Sequence, residues 1–415
     1  MKSGLTQKIL SLAMPAIMLS ALLPTMAFAT SAAETGDLEA ALKNAIMEAS
    51  SGDTIGIDIT SDITLTGVIT IPSNVNVNLF SSTGAVIGAA ARNRHFNVLA
   101  GASLTIANIT IDGNYNNFGN ALYNPNNFPY GGIDNSGILT LNEGAVITNC
   151  YGATYGGGVY NVERSNGVIN INGGKITGNT AFYGGGICAD SNGSVNMTAG
   201  SISGNYGTVE GGGIHSRFGQ VNISGGDINN NGSWYGGGIW ISYYSSLTII
   251  GGEICGNNAL QRGGGIYHRA FQGNSSINII ENTLISGNTA GYFGGGIYDE
   301  PHAGYPANYI VKIVGTIIAN NNGGNVFSQS NCITFDAVLL TVSASVEQLK
   351  GNKNNLTVSI FIIEYSDGLK DIVTNEYAKT FSIDNNAADT YEVGGYKVYV
   401  NTKGNDQIRD CYIAE

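Results

Sequence analysis

Tyr235-Gly-Gly-Gly-Ile-Trp240 decides the fold because the chain keeps returning to it. A glycine-rich step followed by a β-branched residue comes first at Gly131-Gly132-Ile133. It then ends in turn at Val159, Ile187, Ile214, Ile239, Ile266 and Ile297. Shortly before most of these steps stands a second mark: Ile176-Thr-Gly-Asn179, Ile202-Ser-Gly-Asn205, Ile254-Cys-Gly-Asn257 and Ile285-Ser-Gly-Asn288. The asparagines at 179, 205, 231 and 257 are spaced 26 residues apart. A fixed period in the twenties, built of short apolar alternations and Gly/Asn turns, indicates a stacked solenoid.

One coil reads Val221-Asn-Ile223-Ser-Gly-Gly-Asp-Ile228-Asn-Asn-Asn231-Gly-Ser-Trp-Tyr-Gly-Gly-Gly-Ile239-Trp. Alternation with period two sends Val221 and Ile223 inward and Asn222 outward. Superposed coils give three columns. The first is Leu104, Leu139, Ile169, Val195, Val221, Leu247, Ile277 and Val311. The second is Ile111, Ile147, Ile176, Ile202, Ile228, Ile254, Ile285 and Ile318. The third is Ile133, Val159, Ile187, Ile214, Ile239, Ile266 and Ile297. Three columns predict an all-β, right-handed parallel β-helix with three strands per coil and about ten coils, a rod of roughly 50 Å. Leucine-rich horseshoes need a Leu-x-x-Leu-x-Leu pattern that is absent, and propeller blades need about 40 residues.

The chain has 415 residues, 60 of them glycine, and 12% are charged. That composition suits strands and tight turns rather than helices. Residues 1–29 read as a signal peptide: Lys2 and Lys8, an apolar run from Ile9 to Met26, and Ala27-Phe28-Ala29 for cleavage. A secreted or extracellular location is expected, with no membrane span after cleavage. The formal charge is −12, so nucleic acid is not an expected partner: no basic stripe exists to displace counterions. The five cysteines form no even framework; Cys332 and Cys411 bracket the C-terminal region and could be bridged. No Cys-x-x-Cys or His-rich spacing announces a metal, so neither metal nor cofactor is expected.

The remaining segments sit at the ends. In residues 30–54, Leu38, Leu42 and Ile46 make the apolar stripe of a helix that would cover the open end of the solenoid. The β-helix is expected over 55–335. Residues 336–415 lose the triple glycine and gain longer strands, which suggests a small immunoglobulin-like β-sandwich.

The helix, the Ser51-Gly-Asp-Thr-Ile opening and the GGGI and IxGN coils resemble the right-handed parallel β-helix proteins of the pectate-lyase-like superfamily. They look most like secreted bacterial repeat proteins, including surface proteins of the polymorphic-adhesin kind. The tail Phe381-Ser-Ile-Asp-Asn-Asn386 with Val393-Gly-Gly-Tyr-Lys-Val-Tyr399 resembles a module appended to such helices in Gram-positive bacteria. The superfamily holds lyases, hydrolases and non-enzymatic adhesins, so the resemblance speaks to fold more than to activity.

Candidate function lies on the outer faces. The residue after each third-column aliphatic points outward, giving Tyr160, Cys188, His215, Trp240, Tyr267 and Tyr298. Tyr155, Phe182-Tyr183, Trp234-Tyr235 and Tyr292-Phe293 precede the glycines. An exposed row of rings suits the apolar faces of sugars or a cell-surface partner, while the same row could merely buttress the sheet. The expected binding residues are therefore Tyr160, His215, Trp234, Tyr235, Trp240, Tyr267 and Tyr298. The next outward column, Asp190, Arg217, Ser242, Arg269 and Glu300, has Glu210, Arg262 and His268 nearby. In the lyases of the resembled superfamily a cation neutralises a uronate and Arg or Lys removes the proton. The resemblance thus implies Arg217 or Arg269 as base and calcium at Asp190 or Glu300. A separate pair, Asp227 and Glu253, has the spacing of a retaining glycosidase or of two solvated carboxylates. The column Asn114, Asn179, Asn205, Asn231, Asn257, Asn288 and Asn321 reads as a structural amide ladder, with Cys150 where it breaks. A secreted, non-catalytic, adhesin-like protein binding carbohydrate or a cell-surface partner through the aromatic row is the leading expectation; a polysaccharide lyase or glycosidase on the same face is the alternative.

Overall fold

The computed structural model describes residues 38–414, leaving out 91, 115–128, 130, 191, 271–274, 281–282, 302–309 and several short stretches beyond 319. The expected signal peptide at 1–29 and Cys332 of the expected disulfide lie outside the described residues. The chain winds into an all-β parallel solenoid, a β-helix of the right-handed type with three sheets and almost no helix. It makes about eight coils rather than ten. Among the described residues no helix is long and apolar enough to cross a membrane.

All three columns are in register. Leu139 pairs with Leu104 and Ile169, Ile228 with Ile202 and Ile254, and Ile239 with Ile214 and Ile266. They do not, however, map one to a sheet. The first two both belong to the largest sheet, where each coil contributes two short strands such as Gln220–Ile223 and Asp227–Asn229. In three coils these merge into single ten-residue strands, Val168–Thr177, Ser194–Ser203 and Ile310–Ala319. The third column lies in the sheet that contains Ile187–Asp190, Ile214–Arg217 and Ile239–Ser242. The remaining sheet, of very short strands such as Thr180–Tyr183 and Gly232–Tyr235, buries Ala181, Ser233, Ala259 and Ala290, residues too small to mark a column in the sequence.

Buried isoleucines dominate the core, and fully burying one is worth roughly 1.5–3 kcal/mol. Polar rungs interrupt it in a patterned way. From Asn205 onward each ladder asparagine accepts two hydrogen bonds on Oδ1: Asn205 N–H and Asn205 Nδ2 both donate to Asn231 Oδ1 at 3.0 Å. Asn231 Nδ2 in turn donates to the Ile202 carbonyl at 2.9 Å. The ladder runs from Asn179 to Asn321, and the Cys150 N–H donates to Asn179 Oδ1 at its end.

The triple glycine turns the corner between the short-stranded sheet and the third-column sheet. Gly236 has φ +65°, and a Cβ on Gly237 would stand 2.5 Å from the Gly264 carbonyl of the next coil. Only glycine fits a corner repeated at every rung.

At the N-terminal side, helix Leu38–Met47 buries Leu42 and Ile46 against the first coils, while Leu38, expected in the same stripe, is exposed. Glu39 ties the helix down. It pairs with Lys43 at 2.5 Å and accepts hydrogen bonds from the backbone and hydroxyl of Thr66 at 2.9 and 2.8 Å. At the other end, Ile333–Gln348 pairs parallel with Ile310–Ala319 and antiparallel with Lys353–Tyr365. The boundary expected at 335–336 therefore falls inside a strand shared by the solenoid and the antiparallel strands that follow.

Candidate functional site

Alternation along the third-column sheet does turn Tyr160, Cys188, His215, Trp240, Tyr267 and Tyr298 away from the core, each beside the next. The row is nevertheless not an open surface. Trp240 and Tyr267 are 3% exposed, His215 2%, and Cys188 and Tyr298 fully buried. The cover comes from the residue before each glycine corner. Tyr155, Tyr183, Glu210, Tyr235 and Arg262 stand in one register and lean back over the row. Tyr183 meets the His215 ring at 5.3 Å, Tyr235 meets Tyr267 at 5.5 Å, and Arg262 lies over Tyr298 at 5.2 Å. Within the row, His215 and Trp240 are parallel at 4.5 Å, and Tyr267 and Tyr298 stack at 5.2 Å. The expected exposed row is thus a second, aromatic layer on the sheet. Burying such rings and pairing them gives more stability than exposure would.

That layer opens at Ser242. Along the charged column, Asp190, Arg217, Ser242, Arg269 and Glu300 follow one another in register. Ser242 is the small member, and its hydroxyl donates to the Arg269 carbonyl at 2.7 Å. Two longer cations flank it, two rungs or about 10 Å apart. The gap is a cleft of about 230 Å³. Trp240, His215 and Ser242 line it together with Tyr155, Tyr183 and Glu210, and Arg217, Tyr243 and Arg269 complete it. Among the described residues Trp240 Nε1 and Arg217 Nε are buried there without a hydrogen-bond acceptor.

The charges are organised in pairs. Arg217 lies 3.4 Å from Asp190, and Glu300 takes Arg262 at 3.5 Å, Arg269 at 3.8 Å and a hydrogen bond from the Tyr267 hydroxyl. Burial alone would pull the Arg217 pKa down, but the neighbouring Asp190 carboxylate, with Tyr155, Tyr243 and Cys188 adding to it, turns the net shift upward. Asp190 is itself shifted upward, by burial first, against the pull of His215 and Arg217.

In comparisons with known proteins, no family model, no curated protein and no solved structure matches this chain. Its chemistry has to be read from its own side chains.

Of the expected binding residues, His215 and Trp240 reach the cleft. Tyr160 is half-buried beside Tyr155 at 5.3 Å, and Tyr235 serves as cover. Trp234 is 44% exposed on the short-stranded sheet and does not line the cleft. Arg217 and Arg269 line it, whereas Asp190 and Glu300 stand four rungs apart, about 19 Å, too far to share one cation. Asp227 and Glu253 are directly paired, but in the largest sheet, away from the cleft. His268 faces the interior instead: it is sealed between Asp299 at 2.7 Å and the Ser275 hydroxyl at 2.8 Å, all within 1% exposure. The three residue types are those of a hydrolase triad, but in the described residues they are buried together as a hydrogen-bonded network inside the coil.

Sequence reasoning missed Tyr243, which occupies the turn after Ile239–Ser242 at φ +58°. It also missed that Cys188 and Asp190 of one coil meet His215 of the next. The signal was there in the coil-to-coil register rather than in any local spacing.

Proposed function

We propose that this chain is a secreted, non-catalytic carbohydrate-binding β-helix of the pectate-lyase-like kind, and that the cleft beside Trp240 takes one acidic sugar unit. The cleft between Arg217 and Arg269 carries the reading: two guanidinium groups flank tyrosine walls on a molecule that is otherwise strongly acidic. Guanidinium groups recognise carboxylates in a planar fork, and aromatic rings meet the apolar faces of sugars. At about 230 Å³ the space is below the usual 300–1,000 Å³ of sites that enclose drug-sized ligands, so it suits one ring or one charged substituent. Glu210 and the unsatisfied Trp240 Nε1 supply an acceptor and a donor for hydroxyls. In the same reading the N-terminal helix closes one end of the coil. The C-terminal strands form a sandwich that attaches the rod to a surface.

The alternative is a lyase that abstracts a proton with Arg217 or Arg269. The upward shift of Arg217 works against it, because a base must first lose its proton.

A glycan array followed by calorimetry on matched uronate and neutral oligosaccharides tests the proposal. Binding of the acidic member only, weakened by salt, is expected. Arg269→Ala should then weaken it at least about tenfold, roughly 1.4 kcal/mol. Equal binding of both members, or none across the array, removes the reading. New reducing ends or unsaturated products would replace it with the enzymatic one.

A further inference from the structure

Behind the cleft, two neighbouring rungs bring together a thiol and a carboxylate that carbohydrate binding does not use and the far side of the His215 imidazole, whose ring borders the cleft. Cys188 and Asp190 are two residues apart on Ile187–Asp190 and so face the same way, and His215 stands beside Cys188 on the next rung. Cys188 Sγ is 3.5 Å from His215 Nδ1, Asp190 Oδ1 is 3.6 Å from the same nitrogen, and the three atoms all lie within 4.8 Å of one another.

We propose that Cys188 Sγ, Asp190 Oδ1 and His215 Nδ1 bind a zinc(II) ion. Zinc bonds of about 2.3 Å to sulfur and 2.0–2.1 Å to nitrogen at tetrahedral angles place S and N roughly 3.5 Å apart. The observed separation is 3.5 Å. A thiolate, an imidazole and one carboxylate suit a borderline-soft cation and not calcium, which wants six or more oxygens.

Two further observations point to a ligand. Asp190 Oδ1 is buried and, among the described residues, accepts no hydrogen bond of good geometry, having only the Cys188 thiol and, at 3.6 Å, His215 beside it, while the other oxygen is held by Arg217 at 3.4 Å. A buried oxygen without a well-formed hydrogen bond is costly in a folded chain, and a cation meets that cost directly. Second, His215 Nε2 faces Glu210 Oε2 at 3.4 Å while the Trp240 ring locks the imidazole plane. A carboxylate behind the far nitrogen is the arrangement that fixes the tautomer of a metal-ligating histidine. Binding would release the thiol proton to solvent and leave one coordination position for water. Cys188 and Asp190 do not line the cleft, although His215 and Glu210 do, so zinc titration in the absence of any glycan tests this site without relying on the carbohydrate reading.

The test uses the full-length chain, stripped with a chelator under reducing conditions. It is titrated with zinc chloride by calorimetry and with cobalt(II) chloride by absorption. One equivalent of zinc is expected, and cobalt should give a thiolate charge-transfer band with the intense visible bands of a tetrahedral ion. Cys188→Ser should abolish the charge-transfer band and lower zinc affinity at least about a hundredfold, and Glu210→Gln should lower it about ten- to a hundredfold. Cys255→Ser, on another sheet, should change neither. Circular dichroism checks each fold, and Asp190→Asn replaces Cys188→Ser if that variant misfolds. Absence of stoichiometric zinc, a cobalt spectrum without the thiolate band, displacement by millimolar calcium, or unchanged zinc affinity in the folded variant used would each overturn the proposal.

Discussion

At His95 the imidazole accepts the Gly132 N–H on Nδ1 at 3.0 Å, so its proton sits on Nε2, which donates to the Asp112 carbonyl at 3.1 Å. A second proton would have to enter on Nδ1, against that N–H. Burial, helped by the nearby Arg94 charge and opposed by Asp112, pushes the histidine pKa down to about 4 from 6.5. The unfolded chain therefore binds the proton between pH 6.5 and 4 while the folded chain does not. Stability is fully present above pH 6.5 and drains away as the pH falls to about 4, by up to about 3 kcal/mol. Urea titrations across that window should show the loss, and His95→Gln should flatten it; an unchanged slope in the variant would assign the loss elsewhere. Glu39 has the same sign in a lower window. Burial would raise its pKa, but the bonds from Lys43 and Thr66 prevail and hold it near 2, so its contribution fades between pH 4.5 and about 2.

The ladder and the aromatic layer are properties of elements rather than residues. Asn231→Ala would strip the acceptor from Asn205 N–H and Nδ2 and the donor from the Ile202 carbonyl. The expected loss is about 2–4 kcal/mol, felt first as raised hydrogen exchange in the coils on either side, since a solenoid opens locally. Exchange unchanged at those coils would mean that the amides contribute little. The sequence reveals the ladder because an amide needs only the right column to find its neighbours. Which way Trp240 and Tyr267 face was equally legible, being a matter of parity along a strand. Their burial was not, because it depends on Tyr183 and Tyr235 reaching back over a glycine corner. His268 was misread because its proximity in sequence to Tyr267 hides that alternation puts it inside. The cleft was half visible: Arg217 and Arg269 were singled out, but the gap at Ser242 shows only when the three are stacked.

For the molecule as a whole, the decisive joint is Ile333–Gln348, which closes the last parallel ladder and opens the antiparallel one. Ending the chain at residue 335 would cut that strand and leave most of Ile310–Ala319 as an unpaired edge, an invitation to pair with another copy. Size-exclusion chromatography should then show aggregates where the full chain elutes as a discrete species, and a discrete truncated chain would contradict the shared-strand account. The constant 26-residue step between Asn179, Asn205 and Asn231 has a further consequence. Because the ladder keeps this step from Asn179 to Asn257, a whole turn there could be excised or duplicated and the remaining side chains would still find their neighbours. Gene-level slippage could therefore tune the reach of this rod in increments of about 4.8 Å without redesigning its interior, while any increment placed between Arg217 and Arg269 would change what the cleft can grip.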